Sequence, residues 1–217
     1  MALELMDEHE KSEHVRAWLR QNGSAIITGV VLGLGLIFGW QWWQRSKVEH
    51  RVTAATQYQA LTDAIERKET DTVSALADAL AKDYPDTPYA ALAALQLADV
   101  KLASGDADAA AKALEKVASM TTDPALAGLA NLRRARLALA NGDSEAALKH
   151  AAAIPKDLYA GLADEVRGDA LHALGRNEDA REAYKQALTT LDTGAPNRSI
   201  VEMKLADIGG SVDQPEA

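Results

Sequence analysis

Two apolar patterns divide this chain. The first has no polar face: Ser24–Trp43 (SAIITGVVLGLGLIFGWQWW) lies in a window from Gln21 to Gln44 without a charged side chain, bounded by Arg20 and Arg45. As a helix rising ~1.5 Å per residue, that window spans about 36 Å, enough for a hydrocarbon core of ~30 Å. A buried helix of a soluble domain rarely runs so long without a charged face. A cleaved signal peptide would start basic, carry a shorter apolar core and end on small residues. Here the preceding segment is rich in Glu and Asp, and the exit is Trp40-Gln41-Trp42-Trp43-Gln44-Arg45. The pattern predicts a retained single membrane span.

The second pattern is amphipathic and helical almost to the end. Val48, Val52, Ala55, Leu61 and Ile65 predict a helix leaving the membrane, and Val73, Leu76, Ala77 and Leu80 a second. Tyr84-Pro-Asp-Thr-Pro88 ends that one, with Thr87 placed to cap and Pro88 to occupy the first turn of the next. Alanine, the best helix former, supplies about one residue in four from Arg51 onward, and alternating strand patterns are missing. Turns then recur at Ala103-Ser-Gly105-Asp106, Ala140-Asn-Gly142-Asp143 and Leu174-Gly175-Arg-Asn177, their glycines 37 and then 33 residues apart. Helix–turn–helix units with a period of ~34 residues mark tetratricopeptide (TPR) repeats, which stack into a solenoid because no unit can bury its apolar face alone. The fullest match is Gly168, Leu171, Gly175, Ala180, Tyr184 and Ala187, where small residues seat one helix on the other and Tyr184 fills the gap. Aligned on glycine, Ala98, Gly105, Ala110, Leu114 and Val117 form one degenerate copy, and Ala135, Ala138, Gly142, Ala147, Ala151 and Ile154 another. The fold class is therefore all-α: an N-terminal transmembrane helix followed by a TPR-like α-solenoid. The expected divisions are a short acidic tail (1–22), the span (23–44), the repeat domain (45–208) and a frayed tail (209–217), with Asn22-Gly23 as a break before the span and 199–208 as a capping helix.

Composition sharpens this in two respects. All four tryptophans (Trp18, Trp40, Trp42, Trp43) and the one phenylalanine lie in or beside the span, and all five tyrosines follow it. Tryptophan at both ends is the belt expected at headgroup level, so these four residues are read as the membrane interface. The net charge of −9 argues against nucleic acid, which requires a basic footprint. Charge does not orient the span: Lys11, Arg16 and Arg20 precede it, and Arg45, Lys47 and Arg51 follow it. No cysteine is present, so there is no disulfide framework and no thiol nucleophile.

The chain carries no P-loop, GxSxG, HExxH or strand-associated GxGxxG. His9 and His14 among acids read as a solvated face, and Asp106/Asp108 and Glu178/Asp179 open helices, where carboxylates favour the positive dipole end. No cofactor, metal, small-molecule substrate or enzymatic activity is expected. The candidate sites are surfaces instead. Gly29, Gly33, Gly35 and Gly39 form two GxxxG patterns, a spacing that lets membrane helices approach closely. A row on the first helices of the repeats, Leu92, Leu95, Leu102, Leu129, Leu132, Arg136, Leu139 and His172, is read as a partner-binding groove. The competing reading buries those leucines between repeats.

The stretch Val15-Arg-Ala-Trp-Leu-Arg-Gln-Asn-Gly23, the span ending in Gly39-Trp40, and Tyr84-Pro-Asp-Thr-Pro-Tyr-Ala90 before TPR-like helices resemble the YfgM family of ancillary SecYEG translocon subunits. The resemblance covers nearly the whole chain. It implies a bacterial inner-membrane protein with a cytoplasmic N-terminus and a periplasmic TPR domain. It further implies association with SecYEG and the periplasmic chaperone PpiD, assisting secreted proteins after translocation. Two alternatives stay open at this point: a scaffold for another envelope machine, and a cytoplasm-facing regulator.

Overall fold

The computed structural model describes residues 2–211, with side chains from residue 16 onward apart from 17 and 26. Regular structure among the described residues is helical: α1 (Ala2–Glu66), α2 (Thr70–Asp83), α3 (Pro88–Ala103), α4 (Ala107–Met120), α5 (Pro124–Ala140), α6 (Ser144–Ala152), α7 (Ala160–Ala173), α8 (Asn177–Thr190) and α9 (Arg198–Asp207). The chain divides into two compact units between Val52 and Thr53.

The first unit is helix α1 as far as Val52. Its most apolar window is nowhere buried, which separates it from the core helix of a soluble domain. The expected break at Asn22-Gly23 does not occur: the helix runs through it, and Asn22 Nδ2 donates to the Trp18 carbonyl at 3.1 Å. Thr28 Oγ1 likewise donates to the Ser24 carbonyl at 2.8 Å. A hydroxyl bonded to its own helix, as at Thr28, is compatible with hydrocarbon, which requires polar groups to be satisfied internally. The side chains of His9, His14 and Val15 lie outside the described residues, as do residues 212–217 of the expected C-terminal tail.

The second unit begins with the last turns of α1 and alternates first helices (α1, α3, α5, α7, α9) with second helices (α2, α4, α6, α8). One turn geometry builds it. After three first helices the chain enters the left-handed region at Gly105 (φ 83°), Gly142 (φ 79°) and Gly175 (φ 75°), which glycine adopts without a Cβ clash. In each case the following amide donates five residues back in the Schellman pattern, as from Asp106 N to Lys101 O at 2.9 Å and from Arg176 N to Leu171 O at 2.9 Å. The same pattern appears after α1, where Lys68 occupies the glycine position at φ 59° and Glu69 N donates to Ala64 O at 3.0 Å. Gly209 repeats it after α9 (φ 76°). The sequence periodicity had two intervals; the structure adds a repeat before them and a turn after them.

Packing follows the turns. Val73, Ala110, Ala147 and Ala180, each five residues beyond its turn residue, are buried, and so are Leu80, Val117, Ile154 and Ala187. Sizes compensate in two helix pairs: Leu61 shares a cluster with Ala77, and Ala98 shares one with Leu114; the α5–α6 pair sets Ala135 and Ala151 in one cluster. Gly168 lies against Tyr184, so that a Cβ on Gly168 would sit 2.5 Å from the ring. Tyr184 therefore fills the gap between helices as expected. Thr87 and Pro88 also take their expected positions at the start of α3, but Thr87 makes no side-chain cap bond; its hydroxyl donates to the Tyr84 carbonyl at 2.8 Å. Asp106, Asp123 and Asp143 do cap their helices by accepting backbone amides.

Candidate partner-binding site

Within the repeat unit α3 touches α5, and α5 touches α7, in addition to the contacts of α3, α5, α7 and α9 with their second helices. The first helices thus form a row whose neighbours cover part of one another. This decides the fate of the predicted groove. Leu95 and Leu132 are 5% and 2% exposed and belong to core clusters, Leu132 with Ala135, Ala151, Ile154 and Val166. Their assignment to an open groove is corrected: adjacent helices approach closely enough to enclose them. Leu92 and Leu129 are half-buried against the α3–α4–α5 core, and Leu139 against the α5–α6–α7 core. Leu102, Arg136 and His172 are exposed. His172 Nδ1 lies 2.9 Å from Asn177 Oδ1, which ties the imidazole to the turn. The groove row is therefore mixed rather than apolar.

Charged side chains bridge this row, and sequence reasoning missed them. Arg133 Nη1 donates to both carboxylate oxygens of Asp99 at 2.8 and 2.9 Å, joining α5 to α3. At the other end, Lys204 Nζ on α9 donates to Glu165 Oε1 at 3.0 Å and Asp169 Oδ2 at 2.8 Å, both on α7. Asn197 Nδ2 donates to Glu165 Oε2 at 2.9 Å, and the Tyr184 hydroxyl donates to Asp169 Oδ1 at 2.8 Å. Arg198 completes the docking of α9, its Nη1 donating to the carbonyls of Leu188 and Leu191 at the end of α8. A signal existed in the sequence: Asp99 and Arg133 are 34 residues apart, and Asp169 and Lys204 are 35 apart, about one repeat. Opposite charges at that separation face each other when repeats stack.

The network shifts its own titrations. Burial, then the hydrogen bond to Asp169 and the negative charge of Asp169 and Glu165, push the Tyr184 phenol well above its ordinary value. Burial alone would lower the Lys204 ammonium, but the hydrogen bonds to Asp169 and Glu165 outweigh it and raise the group.

In the span, a methyl group added at Gly29, Gly33, Gly35 or Gly39 would meet nothing within 4 Å. Trp18, Trp40, Trp42 and Trp43 are all exposed.

An uncovered apolar helix followed by stacked helix pairs with repeated left-handed turns defines a membrane-anchored TPR-like protein. Solved structures agree on the fold. The TPR-like repeats of a putative kinesin light chain from Podosopora anserina superpose with a TM-score of 0.57 over 74% of this chain and 87% of that one, at 18% identity. A single-residue variant of those repeats gives a TM-score of 0.58 over 73% and 86%. The chain belongs to the tetratricopeptide repeat-like domain family, whose model matches residues 16–210, and within it to the YfgM family that its sequence resembles. It is 30% identical, over 93% of its own length and 97% of the relative's, to the Escherichia coli (strain K12) protein named Ancillary SecYEG translocon subunit. A protein of the same name from Aggregatibacter actinomycetemcomitans is 25% identical over 94% and 98% of the two chains. The family is non-enzymatic.

Proposed function

We propose that this protein is an ancillary subunit of the SecYEG translocon, held in a bacterial inner membrane by Ser24–Trp43, with its N-terminus cytoplasmic and its repeat unit periplasmic. There it tethers a PpiD-like periplasmic chaperone beside the channel, for secreted proteins that have just crossed. The observation that carries this reading is the similarity to the Escherichia coli translocon subunit along 93% of the chain, span included. Confinement to the membrane plane raises the effective concentration of partners near the channel, so a tether needs no chemistry of its own. The exposed and half-buried members of the first-helix row, Leu92, Leu129, Arg136, Leu139 and His172, offer the partner surface on the repeat unit. The glycine faces of the span support close approach of a partner's membrane helix, since nothing in the chain's own packing uses the space at Gly29, Gly33, Gly35 and Gly39.

Co-purification after mild detergent solubilisation tests the assignment. The expected result is recovery of SecYEG and a PpiD-like chaperone with the tagged full-length chain, reduced when Gly29 and Gly33 are both replaced by Leu. Recovery of a cell-wall or outer-membrane assembly machine in their place would overturn it. A C-terminal alkaline phosphatase fusion should be active; an inactive one would reverse the topology.

A further inference from the structure

Where the span ends, the helix carries one side that differs from the rest. At ~100° per residue, Trp40, Trp43, Gln44, Lys47 and Arg51 fall within about 100° of one another, and Glu49 falls on the opposite side. The rings of Trp40 and Trp43 stand 5.3 Å apart, and Lys47 Nζ lies 3.6 Å from the centroid of the Trp43 ring. Trp40, Trp43, Lys47 and Arg51 are all exposed.

We infer that this stripe is a binding site for an anionic phospholipid headgroup; the inference rests on the reading of Ser24–Trp43 as a membrane span. Indole rings settle where hydrocarbon meets headgroups. With Trp40 and Trp43 at that level, Lys47 stands ~6 Å further along the axis and Arg51 ~12 Å further, across the depth of the headgroup layer. The cation–π contact turns the Lys47 ammonium back toward the boundary, whereas a free lysine would extend into water. Arg51, one turn above, brings a planar fork that matches phosphate. The two cations lie at i and i+4, a spacing at which like charges repel until an anion sits between them. One phosphate bridging Lys47 and Arg51, with its glycerol on the Trp43 ring, satisfies all three side chains. A zwitterionic lipid brings its own ammonium to the same place and loses the net attraction. Arg45 is on another side of the helix, so the preference belongs to the stripe and not to the total charge of the segment.

The test uses the full-length protein in nanodiscs of phosphatidylcholine containing one-fifth phosphatidylglycerol, followed by gentle delipidation and native mass spectrometry of the lipids that stay bound. At about fivefold for each cation near an anionic surface, wild type should retain phosphatidylglycerol over phosphatidylcholine by at least fivefold beyond its share. Lys47→Gln with Arg51→Gln should bring the ratio to the bulk value, while Arg45→Gln and Arg20→Gln leave it unchanged. Unaltered enrichment in the double variant, or an equal loss with Arg45→Gln, would overturn the site. Carbonate extraction of wild type from the same lipids keeps the premise separate. Protein that resists extraction but shows no lipid preference refutes the headgroup site alone, whereas extractable protein refutes the span together with the site.

Discussion

Leu132 is the residue at which the two readings of the first-helix row diverge. It is 2% exposed and shares its cluster with Ala135 on the same helix, Ala151 and Ile154 on the α6 side, and Val166 on α7. Leu132→Ala removes three carbons from that junction. At ~0.8 kcal/mol per buried methylene the transfer loss is about 2.4 kcal/mol. The void adds to this, because neighbours held in three different helices relax only partly, and large-to-small changes of this type cost ~2–5 kcal/mol. About 3 kcal/mol is the expected loss. For a chain of this size it lowers the melting temperature by roughly 6–12 °C, read by circular dichroism of the full-length protein in detergent. Arg136→Ala, at an exposed position on the same helix, should leave the melt within roughly 1 kcal/mol of wild type, while weakening recovery of the periplasmic partner. If Leu132→Ala melts within about 2 °C of wild type, well short of that shift, and loses the partner instead, the residue lines a groove and the packing argument is wrong.

Lys68 holds a left-handed conformation that glycine adopts freely, so Lys68→Gly should stabilise the first helix pair, by about 0.5–1 kcal/mol after the entropy of a glycine in the unfolded chain is subtracted; a lower melting temperature would refute the strain. Lys204→Met leaves Glu165 enclosed with only Asn197 and should destabilise by about 2–4 kcal/mol, discounted for the partial exposure of the lysine. Adding Glu165→Gln should recover part of that loss, and no recovery in the double variant would refute the charge argument. Tyr184 and Lys204 both have folded-state values raised above their ordinary 10.0 and 10.5. Below about pH 10 both stay protonated in either state and their contribution is complete; above it the unfolded chain releases protons that the fold retains, so stability falls as pH rises. Melting temperatures measured from about pH 7 to 11.5 should be flat and then drop, and Tyr184→Phe should soften the drop; an unchanged slope would refute the linkage.

Much of this architecture was legible before any coordinates. Charge-free length and flanking tryptophans mark the span, because the bilayer imposes a length and a boundary chemistry that single residues report. Gly105, Gly142 and Gly175 mark turns, because a left-handed residue without a Cβ is the cheapest way to close a helix pair. Tyr184 was readable as the large residue that fills the gap, and the structure sets it against Gly168. The repeat before Gly105 was not readable, since Lys68 fills the turn and carries no compositional mark. The candidate site was the least legible part. Leu92, Leu95, Leu129 and Leu132 look alike in a helical pattern, and periodicity reports the side of the helix but not how closely the next helix lies on it.

By itself, then, the sequence determined the class of each segment: a helix that must lie in lipid, and alanine-rich helix pairs that must stack, because each apolar side needs a cover. Only the tertiary structure decided which leucines that cover encloses. It brought Asp99 to Arg133 and Lys204 to Glu165 and Asp169. Those pairings depend on the distance and rotation between successive helices, quantities that arise from packing many side chains at once and that no single stretch of the chain encodes.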